Sequence, residues 1–407
     1  VLEPVIDARL AFARVAERVV RATGNEHGRP EVGRRGGETP VAGRLRRIHG
    51  FGADKDNWVR FARHLTKKYH VIAPDVAGFG DSSKIRGAKY DMPTQVKRMH
   101  AFARAVGLKK FHVAGNSMGG LIRYENVKGR DGVITLLTDR IDGEVMDAAK
   151  GVRGFANYAV GFDNLDVKAA TERKIPLSNT PGVLTLATAE MAWALLFAVA
   201  RRLIESEKVM RSGAWQGWGP LQFIGGDVTG KTLGIVGAGR IGTAMALMSK
   251  GFAMQVLYAD EVANPVLEKE LGARKVPFEE LLRESDFVSI HVPLMPSTRH
   301  LFNAKTLAMM KPTAYLVNTA RGPVIHEAEL VEALRSNVIA GAALDVYEFE
   351  PKTVPGLAEL ANVVIAPHTA SATRSSRSGM SVKAATNLLA MLKGERPPDC
   401  LNPGIYG

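Results

Sequence analysis

Three polar side chains stand where a parallel α/β chain would place its chemistry. Arg321 follows the apolar run 314–318, in the segment Asn318-Thr-Ala-Arg-Gly322. Glu350 lies just past the run 339–346, and His368 just past 363–366. Such runs read as buried parallel strands, and ligands bind outside the carboxyl ends of those strands. A cation, a carboxylate and an imidazole together suit the reduction of a 2-oxo acid. The guanidinium of Arg321 would clamp a carboxylate and polarise the carbonyl beside it. The imidazole of His368 would donate a proton as hydride arrives at carbon. Glu350 would raise the imidazole pKa so that it is protonated near neutral pH. Each residue alone could be a surface Arg, a surface Glu or a loop His; the set of three points to chemistry. No metal site is expected.

A hydride needs a donor, and the chain carries a loop for one. The run from Lys231 to Gly242 contains Gly237-Ala-Gly239-Arg-Ile-Gly242 after an apolar strand and before a helix. Gly237 would make the tight turn, Gly239 would let backbone approach a pyrophosphate, and Gly242 would let helix and strand pack closely. Asp260 ends the next strand, 18 residues after Gly242. A carboxylate there binds the ribose diol and repels a 2′-phosphate, so NAD is favoured over NADP, and NADH over NADPH.

A second constellation lies earlier. The strand 111–114 runs into Gly115-Asn-Ser-Met-Gly-Gly120, a Gly-x-Ser-x-Gly elbow, and His49-Gly-Phe-Gly52 precedes it. The elbow would hold Ser117 proud of a sheet, and the earlier loop with the Met118 N–H would form an oxyanion hole. Residues 48–122 resemble an α/β-hydrolase, and that resemblance makes Ser117 the nucleophile. The acid and base that should follow are not found, and without a base a serine is a weak nucleophile. Ser117 therefore reads as a relic.

Residues 131–404 resemble the D-isomer-specific 2-hydroxyacid dehydrogenases, most of all the glyoxylate/hydroxypyruvate reductase branch. The matching runs include Ala156-Asn-Tyr-Ala-Val-Gly-Phe-Asp-Asn164, Asn179-Thr-Pro-Gly-Val-Leu-Thr185, Gly237 to Gly242, His291-Val-Pro-Leu294, Asn318 to Gly322, Glu350-Pro351 and Pro367-His368. The resemblance implies Arg321, Glu350 and His368 as the catalytic trio. It implies the N–H groups of Val160 and Gly161, with Arg321, as the substrate site. It adds Thr185, Arg240, Ile241, Pro293, Thr319 and Asp345 to the glycines and Asp260 as cofactor contacts. It further implies a homodimer with the region around residues 193–218 at the interface. Two positions depart from the family pattern: His326 stands where an acid is usual, and Ala370 where glycine is frequent. The β-α-β-α unit that opens the family's substrate domain is absent, and the hydrolase-like piece stands in its place.

The implied architecture is α/β, with a Rossmann dinucleotide-binding domain over 211–372. A truncated flavodoxin-like substrate domain covers 131–210 and 373–407, and a partial hydrolase-like segment covers 1–130. Within that segment residues 23–47 read as loop or disorder, and Arg44-Leu-Arg-Arg47 is too polar for a buried parallel strand. One long helix is expected over 185–210. The strands 111–114 and 132–137 have the order of a right-handed crossover and would pair; the equal alternative is that residues 1–125 are loosely attached or disordered and the substrate-domain sheet keeps an uncovered edge.

Charge marks the same seam. Residues 1–130 carry 26 Lys and Arg against 12 Asp and Glu, and the rest carry 28 against 29. The basic residues are scattered without interleaved aromatics, so no nucleic-acid partner is expected. The lone cysteine, Cys400, excludes an internal disulfide framework and fits a reducing, cytoplasmic setting. The longest apolar run, 191–200, is far short of the roughly 20 residues a membrane span needs. Three functions are thus in play: an NADH-dependent 2-oxo acid reductase, a serine hydrolase, and a non-catalytic dinucleotide-sensing protein.

Overall fold

The computed structural model describes residues 127–407, three strands among residues 44–115, and the helical positions Thr94, Arg98 and Ala101. The chain divides into two compact units, residues 1–181 with 378–407, and residues 182–377.

In the first unit, β1 (Arg44–Ile48), β2 (His70–Ile72) and β3 (His112–Gly115) form a parallel sheet in the order β2-β1-β3. The arginine-rich run is thus the middle strand, against the expectation from its polarity. Ladder bonds use backbone groups, which arginine supplies as well as any other non-proline residue; polarity argues about burial, not pairing. A second parallel sheet follows: β4 (Val133–Thr135), β5 (Phe155–Asn157) and β6 (Leu177–Ser178), in that order. Among the described strands β3 pairs with β1 and β4 with β5, so the expected ladder between 111–114 and 132–137 is not formed. Two parallel fragments joined by a helix-length link fix order along the chain, not which edges meet.

Helices α1 (Gly143–Ala148) and α2 (Val167–Glu172) start at aspartates. Asp142 and Asp166 accept the N–H groups of Val145 and Ala169, satisfying donors that a helix start leaves unpaired. Val145, Met146 and Ala169 then pack with Ile141, Phe155, Leu165 and Leu177 into one core. Phe155 is fully buried, and cutting such a side chain to alanine costs about 3–5 kcal/mol.

The second unit opens with α3 (Thr185–Ala200) and α4 (Leu203–Ser212). The single helix expected over 185–210 is broken at Arg202, whose backbone is left-handed at φ 48°. Composition changes there. Trp193, Leu196 and Val199 of α3 are buried, whereas α4 has no buried residue. Then come β7 (Thr232–Val236), α5 (Arg240–Met248), β8 (Gln255–Ala259), α6 (Pro265–Leu271), β9 (Arg274–Lys275), α7 (Phe278–Glu284) and β10 (Phe287–Ile290). They are followed by α8 (Ala304–Leu307), β11 (Tyr315–Asn318), α9 (Glu327–Arg335), β12 (Gly341–Leu344) and β13 (Val363–Ile365). The seven strands are parallel in the order β13-β12-β11-β10-β7-β8-β9. The chain builds outward from β7 and then returns to β10 on its other side, which opens a crevice between their carboxyl ends.

Helix α3 packs with Leu233, Ile235, Val317 and Ala343 of this sheet. It therefore belongs to the second unit, whose boundaries fall at 181/182 and 377/378 rather than the expected 210/211 and 372/373. The last helix, α10 (Arg374–Lys393), places Ala384 and Ala385 against Ile134 and Ala156 in the first unit. No helix among the described residues is long and apolar enough to cross a membrane.

Candidate active site

The loop after β7 is shaped by two glycines. Gly237 has φ 94°, and a Cβ there would lie 2.8 Å from backbone atoms of His291 and Val292. At Gly242 a Cβ would lie 2.0 Å from the Gly237 oxygen. Neither position accepts a larger residue without moving backbone. Gly239 differs: a Cβ there would meet nothing within 4 Å. It caps α5 without a side-chain bond, and the N–H groups of Arg240 and Ile241 at the helix start have no protein acceptor among the described residues. Asp260 closes the other side. Its Oδ2 accepts the Ala238 N–H at 2.7 Å and its Oδ1 the Val262 N–H at 3.3 Å. Two further polar atoms, Thr319 Oγ1 and His291 Nδ1, are buried without a hydrogen-bond partner among the described residues. Burial pushes the His291 pKa down to about 3, so this ring stays neutral. An open anion-binding helix start, a carboxylate at the next strand end and orphaned buried polar atoms fit a nicotinamide dinucleotide. Thr185 begins α3, and Pro293 is exposed, its carbonyl accepting from Thr298 Oγ1 at 2.6 Å.

Arg321, Glu350 and His368 follow β11, β12 and β13, three adjacent strands. Asn318, the last residue of β11, ties the Arg321 turn. Its Oδ1 accepts the Ala320 N–H at 2.9 Å and its Nδ2 donates to the Arg321 oxygen at 3.0 Å. His368 has a left-handed backbone, φ 53°, and its N–H donates to the Asp345 oxygen at 2.8 Å. Its Nδ1 lies 2.9 Å from Glu350 Oε2, while Glu350 Oε1 accepts the Tyr347 N–H at 3.1 Å. Burial would raise the Glu350 pKa. The hydrogen bond and charge of His368, the Tyr347 N–H and the charge of Arg321 outweigh it and hold the carboxyl below the usual glutamate value. With Nδ1 occupied, Nε2 is the nitrogen through which His368 can pass a proton.

The same two units carry a family signature. Residues 193–370 match the family model described as D-isomer specific 2-hydroxyacid dehydrogenase, NAD binding domain, and residues 47–123 match that of the alpha/beta hydrolase fold. Glyoxylate reductase of Thermococcus onnurineus is 52% identical over 285 residues, covering 69% of this chain and 85% of the relative. The chain belongs to the D-isomer specific 2-hydroxyacid dehydrogenases. Solved structures agree. The TT0316 protein of Thermus thermophilus superposes with a TM-score of 0.69 at 37% identity, covering 88% of this chain and 99% of that one. An NADPH-dependent glyoxylate/hydroxypyruvate reductase from Sinorhizobium meliloti, solved with NADP and malonate, gives 0.67 at 27% identity, covering 88% and 97%.

Further residues of this dehydrogenase hold the site together: Asp345, expected from sequence only as a cofactor contact, and Glu327 and Glu348, which were not singled out. Asp345 is fully buried, and its two oxygens accept the Thr369 and Ala370 N–H groups, each at 2.7 Å. Its carboxylate thus grips the turn that carries His368, and burial raises its pKa against those bonds. Glu327 is 2% exposed, and its oxygens accept the Glu348 N–H at 2.7 Å and the Val354 N–H at 2.8 Å, on either side of Glu350. Glu348 in turn meets His300 Nε2 at 2.6 Å. His326, where the family pattern has an acid, caps α9 by accepting the Glu329 N–H through Nδ1 at 3.4 Å. The pair of glutamates two apart, Glu348 and Glu350, was the one sequence cue to this support.

In the first unit Val160 and Gly161 follow β5. Asn157 Nδ2 donates to the Gly161 oxygen at 3.0 Å, and Asn179 Nδ2 to the Val160 oxygen at 2.7 Å. The N–H groups of Val160 and Gly161 have no protein acceptor among the described residues. Ser117 and the loop 49–52 lie outside the described residues.

Proposed function

We propose that the chain reduces a small 2-oxo acid, glyoxylate or hydroxypyruvate, to the D-2-hydroxy acid with NADH. The observation that carries this reading is the His368–Glu350 pair at 2.9 Å, with the charge of Arg321 felt at Glu350. Bound NADH supplies the hydride to the carbonyl carbon. Arg321 draws electron density toward the carbonyl oxygen and orients the neighbouring carboxylate. His368 Nε2 gives its proton to that oxygen, and Glu350 stabilises the charged ring through Nδ1. The N–H groups of Val160 and Gly161 are the seat of the substrate carboxylate.

Gly237, Gly239, Arg240, Ile241 and Gly242 would hold the pyrophosphate, and Asp260 the adenosine ribose. Thr185, Pro293, Thr319 and Asp345 would line the remainder. The Sinorhizobium meliloti reductase is NADPH-dependent; Asp260 supports the opposite preference here, since a carboxylate repels a 2′-phosphate. The test is cofactor consumption with glyoxylate, hydroxypyruvate, pyruvate and phosphohydroxypyruvate. NADH oxidation with one of the first two is expected, at least about tenfold faster than NADPH oxidation, the scale of one lost charge interaction. No oxidation with any acid would sink the reading.

A homodimer is part of the same proposal. Trp193, expected at the interface, is instead buried, with its Nε1 donating to the Met245 oxygen at 3.0 Å. The apolar side chains left open lie further on: Leu203, Met210, Trp215, Leu221, Ile224, and Trp218 at 83% exposure. Such a cluster marks an interaction surface. Light scattering should give twice the chain mass, falling to one in Trp218→Glu; a monomeric wild type would remove this part.

A further inference from the structure

The Val160–Gly161 loop is held from one side by its oxygens. Thr180 N donates to the Ala159 oxygen at 2.9 Å, Asn179 Nδ2 to the Val160 oxygen at 2.7 Å, and Asn157 Nδ2 to the Gly161 oxygen at 3.0 Å. In a planar trans peptide the C=O and N–H of one plane point in opposite directions. The plane that carries the Ala159 oxygen also carries the Val160 N–H. The plane that carries the Val160 oxygen also carries the Gly161 N–H. Holding the two oxygens therefore aims two consecutive N–H groups the other way, and those are the two without a protein acceptor among the described residues. Successive backbone N–H groups presented together make a concavity for an anion.

We propose that Asn179 is a positioning residue for substrate. By holding the Val160 oxygen it aims the Gly161 N–H, and so governs the affinity for a carboxylate-bearing substrate rather than the transfer of hydride or proton. The inference rests on the reading of Val160 and Gly161 as the carboxylate seat. Asn179 is suited to the task because it is itself fixed. It is 8% exposed, and Asn387 Nδ2 donates to its backbone carbonyl oxygen at 3.0 Å. Asn387 Nδ2 also reaches Asp399 Oδ2 at 3.1 Å, and its Oδ1 accepts the Asp399 N–H at 3.0 Å. Lys383 Nζ holds the other Asp399 oxygen at 2.9 Å. Three linked side chains, Lys383, Asp399 and Asn387, thus anchor the Asn179 backbone, two of them from α10. Asn157, which holds the next plane, aims the Phe162 N–H and is not part of the pair.

The test is steady-state kinetics of the full chain with glyoxylate and with its uncharged ethyl ester. Asn179→Ala should raise KM for glyoxylate about tenfold, the scale of one hydrogen bond to a charged group, with kcat and the NADH dissociation constant within about threefold. KM for the ester should not move. An unchanged glyoxylate KM in the folded variant overturns the proposal, and so does an equal rise for acid and ester. Should the variant not fold, the wild type decides. With NADH bound and isotope-labelled glycine, oxalate should shift the Gly161 amide resonance, and a silent Gly161 overturns the proposal. A wild type that reduces no 2-oxo acid defeats the functional reading itself. An active wild type whose Asn179→Ala KM is unchanged defeats only this inference.

Discussion

The trio of the second unit and the loop of the first would, in the proposed reaction, use two different kinds of chemical group. Arg321, Glu350 and His368 would act through ionisable side chains at three adjacent strand ends, and neighbours bind the Arg321 backbone, the His368 ring and the Glu350 carboxylate. Val160 and Gly161 would act through main-chain N–H groups, with their side chains incidental; their aim depends on which oxygens Asn179 and Thr180 hold. Side-chain chemistry can be deleted by one substitution. Backbone chemistry can only be misaimed. The first kind should govern rate and its pH dependence, the second affinity.

The strongest attempt to break this division is His368→Ala. Removing the proton donor should lower kcat by about 10²–10⁴-fold, the range of general acid catalysis, with KM for glyoxylate within about threefold. A kcat left unchanged would mean that the proton comes from elsewhere. Glu350→Gln comes next, with kcat/KM reduced about 10- to 100-fold, one to two pKa-sized increments of charge stabilisation. Because Glu350 is held below the ordinary glutamate value, its carboxylate is ionised through the neutral range. That negative charge beside the His368 ring is lost as pH falls through the depressed value. Without the carboxylate, the alkaline limb of the kcat/KM profile should move to lower pH. A limb that stays put would show that the pair is not what keeps the acid charged.

Asp139→Asn should have the smallest kinetic effect and sharpens the other side. Asp139 accepts the Leu136 N–H at 2.7 Å, and its own oxygen accepts from Asn164, which also bonds Asn157 behind the Gly161 oxygen. Burial pushes its pKa up to about 6 from an ordinary 3.8. The folded chain therefore binds a proton the unfolded chain has lost, and stability falls as pH rises between those values. Asparagine avoids the buried charge. Thermal unfolding at pH 7.5 should show a gain of about 1–3 kcal/mol that vanishes near pH 4, with kcat and KM unchanged. A pH-independent gain would show that charge is not the cause.

Legibility in the sequence followed the same division. Gly237, Gly239, Gly242 and Asp260 could be placed because strand, turn and helix succeed one another at fixed spacing. Arg321, Glu350 and His368 could be placed because buried parallel strands are nearly unbroken apolar runs whose ends are easily seen. The break at Arg202 was not legible, since Arg and Leu are both good helix formers and the cause is that α3 has a sheet to cover and α4 does not. The clamps were not legible either. Glu327 reaches Val354 across 27 residues and Asn179 reaches Val160 across 19, and no local spacing rule links a side chain to a backbone group that far away. Arg44–Ile48 misled because its side chains spoke of solvent while its backbone was free to pair.

The left-handed residue Arg202 has a consequence for how the protein opens. It ends a helix locked into the sheet and starts one with no buried residue. Amide protons along α3 exchange with solvent only when the unit as a whole opens, whereas those of α4 are released by local fraying that costs little. The arm that follows, with Trp215, Trp218 and Leu221 uncovered, shares that looseness in a single chain. In the proposed homodimer its order would be a property of the assembled state: slow exchange in α4 would report an engaged partner, and protein dilution would restore fast exchange there without touching α3.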